Sequence, residues 1–107
     1  MFSDKNEPLK LTAKSINKTF GQRLLPARVK ADQQPEILLK LAAFVKELLQ
    51  TDMHRLLQAL YRLDVDERKV KNALQQNSVD EVAAALAQLI FDREMQRVIT
   101  RQRYSGN

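Results

Sequence analysis

Between residues 36 and 105 the chain contains neither proline nor glycine; its prolines stand at positions 8, 26 and 35 and its glycines at 21 and 106. No other feature narrows the possible folds as much. Nothing in that tract interrupts a helical hydrogen-bond ladder, and Leu, Ala, Gln, Lys and Arg, all strong helix formers, dominate it. The expectation is an all-α fold, a small bundle of four to five helices joined by short turns, with a flexible N-terminal tail.

With 107 residues, 44% of them apolar and 29% charged, the chain has the balance of one globular domain with enough surface to bury a core. It has no cysteine, which excludes disulfides, a cysteine-ligated zinc finger and a thiol enzyme. Two isolated glycines cannot build the glycine-rich loops of dinucleotide-binding folds or P-loop nucleotidases.

Along the chain, residues 1–8 read as the flexible tail. Residues 9–25 form a basic amphipathic helix, beginning near Thr12 as N-cap and ending before Pro26, with Leu9, Ala13, Ile16, Phe20 and Leu24 on one stripe and Lys10, Lys14 and Lys18 on its flank. Residues 26–35 lack periodicity and read as a linker, which makes the first helix the element expected to be mobile or partner-dependent. Residues 36–104 are the helical core. Pro35 is well placed to open a helix, and a break at Gln50-Thr51-Asp52 divides residues 36–63 into two helices, because Thr51 and Asp52 suit caps better than interiors. Asp64-Val65-Asp66-Glu67 starts the next helix, with either Asp64 or Asp66 as cap, and runs to about Gln76. Ser78, followed three residues later by Glu81, is the capping box of a final helix from Val79 to about Arg103.

Charge is unevenly placed. Of a net +5, the first 35 residues hold seven basic side chains against Asp4, Glu7 and Asp32, and residues 95–107 hold Arg97, Arg101 and Arg103 without an acid. Basic ends attract acidic protein surfaces or polyanions by long-range, salt-screened forces. The candidate anion-binding residues are Lys10, Lys14, Lys18, Arg23, Arg93, Arg97 and Arg101.

Candidate chemistry is sparse. The Asp64–Glu67 run departs from a calcium loop at Arg68, Lys69 and Gln75, so helix capping explains its acids. His54 is the only histidine; it lacks the companion ligands zinc needs, and with Tyr61 it belongs at the edge of the core. Glu94 and Arg97 have the spacing of a surface ion pair. The expectation is therefore no catalysis, no metal, no cofactor and no small-molecule substrate.

The final helix carries the most informative pattern. Val79, Val82, Ala83, Leu86, Leu89 and Ile90 share one sector, but beyond residue 91 that sector holds Arg93, Arg97 and Arg101, while Phe91, Met95, Val98 and Ile99 fall on another side. A straight helix so patterned buries its halves against different things. Either the chain's own first helix or a kink covers the second face, or a partner does. The functional expectation is a non-catalytic protein-interaction or assembly module, self-associating through Phe91, Met95, Val98 and Ile99. The alternative is non-specific nucleic-acid binding by the basic ends, with a poor recognition helix at residues 66–90, where Asp80 and Glu81 would face the phosphates. No segment reads as a signal peptide or a membrane span, so the simplest location is cytoplasmic.

Overall fold

The computed structural model describes residues 6–105, which form five α-helices and one short 3₁₀ turn, with no strand among them. The fold is all-α, as the proline- and glycine-free tract implies. The expected tail at residues 1–8 lies in part outside the described residues; of the remainder, Asn6 precedes the first helix and Glu7 and Pro8 are its opening turn.

The first helix, α1, spans Glu7–Phe20, earlier than expected at both ends. Proline in the first turn lacks only an N–H that would have no partner there, so Pro8 opens the helix. Thr12 sits inside it, its hydroxyl donating to the Pro8 carbonyl at 2.7 Å. Gly21 ends the helix before Pro26 can, adopting φ 68°. Its N–H donates to the Lys18 carbonyl and that of Gln22 to the Asn17 carbonyl, the paired bonds of a left-handed helix stop. The Asn17 side chain then accepts the Leu24 and Leu25 N–H groups and donates to the Leu25 carbonyl.

The segment after α1 is irregular, as expected, but tied down. Leu25 and Val29 are buried in the core, the Ala31 N–H donates to Asn6 Oδ1 at 2.7 Å, and Ala31–Gln33 form the 3₁₀ turn. Helix α2 (Gln34–Thr51) carries Pro35 in its first turn. Asp52 separates it from α3 (Met53–Arg62), accepting the Arg55 N–H at 3.1 Å, so residues 36–63 are two helices. Asp66, not Asp64, caps α4 (Glu67–Leu74) through the Arg68 N–H, and Asp64 takes the left-handed conformation in the preceding turn. Ser78 Oγ accepts the Glu81 N–H at 3.1 Å and donates to the Glu81 carboxylate, opening α5 (Val79–Ser105).

At 1.5 Å per residue, the 27 residues of α5 span about 40 Å, which sets the 42 Å long dimension of the molecule. Helices α1, α2 and α4 all pack on it. The Lys46–Asp80 pair at 2.7 Å brings the C-terminal end of α2 to the N-terminal end of α5. Leu9, Ala13, Ile16 and Phe20 of α1 are buried in the same core as Leu41, Val45, Leu56, Leu86 and Ile90, so α1 is a built-in part of the fold and not a detached element. Phe20 meets the Phe44 ring edge-on at 5.1 Å, and Arg55 lies 5.5 Å from that ring while donating to the Phe20 carbonyl at the C-terminal end of α1. None of the described helices is long and apolar enough to cross a membrane.

Candidate functional site

The two apolar faces expected on α5 are one. Val82, Ala83, Leu86, Ala87, Ile90, Phe91, Glu94 and Val98 are all buried, a single stripe at three- and four-residue spacing that runs most of the helix. Its apparent switch of side comes from Glu94, which interrupts the apolar pattern yet occupies a core position at 0% exposure. The expected Glu94–Arg97 pair forms at 2.9 Å, but its carboxylate end is interior and its guanidinium end is 41% exposed.

Two partners satisfy the Glu94 carboxylate. Ser15 of α1 donates its hydroxyl to Oε2, and Arg97 Nη1 donates to Oε1. Among the described residues no buried side-chain nitrogen or oxygen is left without a partner. The Ser15–Glu94 bond crosses from α1 to α5, and one turn along α1 the Thr12 hydroxyl lies 3.4 Å from Met95 Sδ. Periodicity could have raised this site: a carboxylate at the middle of the Ile90, Glu94, Val98 row stands where an apolar residue is due.

The face assigned to self-association is thereby corrected. Phe91 and Val98 are 2% and 4% exposed, Met95 and Ile99 are half-buried, and Met95 packs against the core. The covering element is the chain's own α1. Burial of its Leu9, Ala13, Ile16 and Phe20 is favourable by roughly 25 cal/mol per Å² of apolar area removed from water, with α1 packed on α5 and Phe20 also meeting Phe44 of α2.

The candidate anion-binding residues divide into groups. Lys14, Lys18 and Arg101 line one groove between α1 and the last turns of α5, together with Leu11, Ser15, Val98 and Gln102, around about 310 Å³ of open space. Lys14 and Lys18 form one rim, are exposed, and pair with no carboxylate among the described residues. Arg101 is on the other side, where Nη2 reaches Ser15 Oγ and Nε the Arg97 carbonyl, both at 3.5 Å. Lys10 continues the lysine row one turn earlier without lining the groove, and Arg23 is exposed in the turn after α1. Arg97 is engaged with Glu94. Arg93 faces elsewhere, donating to the Leu63 carbonyl at 2.9 Å beside Asp64, Asp66 and Asp92.

Sequence reasoning missed a second exposed feature. Leu57 and Tyr61 of α3 and Val70 of α4 border a cleft, with Tyr61 88% exposed instead of at the core edge. His54 is exposed on the same helix. No family model, curated protein or solved structure matches this chain.

Proposed function

We propose that the chain is a non-catalytic protein-interaction module that engages an acidic partner protein through the groove between α1 and α5. The observation that carries this reading is the convergence of Lys14, Lys18 and Arg101 around one groove, while the Glu94 carboxylate beneath Ser15 is buried and engaged by Ser15 and Arg97. A groove rimmed by the exposed Lys14 and Lys18 attracts carboxylates and raises their association rate. Self-association through Phe91 and Val98 is not part of the reading, because the chain's own core occupies them. Two basic grooves would also repel one another.

Phosphate contact by nucleic acid is the second reading, favoured by the exposed Lys10, Lys14 and Lys18 row on α1. Such contact would be sequence-independent, and among the described residues lining the groove none is aromatic, so these offer bases nothing to stack on.

Fluorescence anisotropy with labelled poly-L-glutamate and labelled oligothymidylate, at about 50 and 200 mM salt, separates the two. The expected result is salt-sensitive binding of poly-glutamate that Lys14→Glu with Lys18→Glu abolishes. Failure to bind it at the lower salt, or binding indifferent to the double reversal, would overturn the proposal. Tighter binding of oligothymidylate would transfer the groove to the second reading.

A further inference from the structure

Resting on that reading, we infer that the partner's acidic segment runs on past the groove into a second cationic hollow, between the end of α1 and α3, with Arg62 as its far anchor. Lys18 joins the two spaces: it lines the α1–α5 groove with Lys14, and it lines a hollow of about 280 Å³ with Thr19, Arg55, Gln58 and Arg62. Among the described residues lining either space there is no carboxylate. Lys18 and Arg62 are exposed, and neither pairs with a carboxylate among the described residues. A segment drawn to Lys14 and Lys18 by its charge thus finds in Arg62 a further cation, of the planar, forked kind that matches a carboxylate.

The C-terminal end of a helix ordinarily repels an anion, because its last carbonyls carry partial negative charge. At the end of α1 three of those carbonyls already accept hydrogen bonds. The Asn17 carbonyl accepts the Gln22 N–H, that of Lys18 the Gly21 N–H, and that of Phe20 a guanidinium N–H of Arg55. Arg55 Nη2 also donates to the Gln22 side-chain oxygen at 3.0 Å, and the guanidinium lies over the Phe44 ring. All these partners are uncharged, so the positive charge of Arg55 is not cancelled. Arg55 holds the end of α1 and sets the sign of the hollow, while Lys18 and Arg62 remain exposed to meet a ligand.

The cationic track ends where acids begin. Beyond Arg62 the cleft between α3 and α4 holds Asp64 and Glu67 beside Lys71, so carboxylates there offset the cation. The extent of the track sets the length of segment it suits. Leu11 to Lys18 is about 10 Å of rise along α1, and Arg55 to Arg62 about 10 Å along α3. A path through both spaces is up to about 20 Å, which an extended chain at about 3.3 Å per residue covers in about six residues. A segment of about three residues fills one space but does not reach both.

The test measures anisotropy of labelled glutamate oligomers of about eight and about three residues, and of oligothymidylate, against the full chain at about 50 mM salt. Three single reversals are compared. Lys14→Glu touches only the α1–α5 groove, and Arg62→Glu only the α1–α3 hollow. Lys40→Glu, exposed on α2 and lining neither, makes the same change in net charge. Arg62→Glu is expected to weaken the longer oligomer at least about tenfold and to shrink its advantage over the shorter one, whereas Lys40→Glu should weaken it no more than about twofold. Arg62→Gln, which places no acid at the end of α3, should act in the same direction, and unchanged circular dichroism verifies that each variant folds. If Arg62→Glu weakens binding no more than Lys40→Glu does, while Lys14→Glu weakens it strongly, the inference is overturned and the acidic-partner reading of the groove stands. If neither oligomer binds, or if Lys14→Glu has no more effect than Lys40→Glu, both fall. Tighter binding of oligothymidylate also overturns the inference.

Discussion

The two halves of α5 are the instructive contrast. From Val82 to Phe91 every residue turned to the core is apolar: Val82, Ala83, Leu86, Ala87, Ile90 and Phe91. From Glu94 onward the side facing α1 mixes apolar burial with directed bonds, Ser15 to Glu94, Arg97 to Glu94 and Arg101 to Ser15, beside the apolar Val98 and the half-buried Met95. Apolar packing is non-directional and tolerates sliding of one helix over another. A buried carboxylate accepts few geometries, because displacing its donors leaves a charge in a dry site. One helix thus uses apolar area to hold the bundle together and a polar contact to define where α1 rests, and the groove proposed as the contact surface borders that contact.

The largest effect is expected in the apolar half. Leu86→Ala removes a wholly buried side chain and should cost about 2–5 kcal/mol, read as a lower urea midpoint at unchanged slope. A loss under about 1 kcal/mol would mean that this half collapses around the gap and would remove the contrast.

A pair of substitutions at Glu94 sharpens the comparison at intermediate size. Glu94→Ala leaves unfilled space and two partners to find water, at a cost of about 1–3 kcal/mol. Glu94→Met fills the space without the charge and should stay within about 1.5 kcal/mol of the wild type, in either direction, because Arg97 can turn to solvent. Hydrogen exchange of the α1 amides supplies the deciding readout. Faster exchange in α1 than in α2 for Glu94→Met, at near-normal global stability, is the expected mark of a lost docking geometry. Unchanged α1 protection would show that apolar burial alone positions the helix.

The smallest effects belong to the helix caps, which lie outside both halves. Asp52→Ala and Ser78→Ala each remove a side-chain acceptor for a backbone N–H and should cost about 0.5–2 kcal/mol in the same urea experiment. Additivity of either with Leu86→Ala is the check that the caps act locally.

Much of this protein was legible from local chemistry. A long tract without glycine or proline made helices the only economical conformation, and Thr51-Asp52, Asp64-Val65-Asp66 and Ser78 marked three helix starts, because a side-chain acceptor at an N-cap acts within three residues of its own position; the structure selects Asp52 and Asp66 from the first two. The end of α1 was written in Gly21 but misread, since Pro26 was given the role that the left-handed glycine takes five residues earlier. The location of Glu94 was not legible in the same way. An acid three residues before an arginine has the same local pattern on a surface as in a core, and only the docking of α1, with Ser15 placed to donate, makes the interior position tenable. The same docking decides that Phe91 and Val98 are covered from within and that Lys14, Lys18 and Arg101, from opposite ends of the chain, share one groove. Helical periodicity and capping are short-range and can be read along the chain; which face meets which, and therefore which charges are buried and which gather at the surface, depends on contacts between residues some eighty positions apart, and the tertiary structure alone settles those.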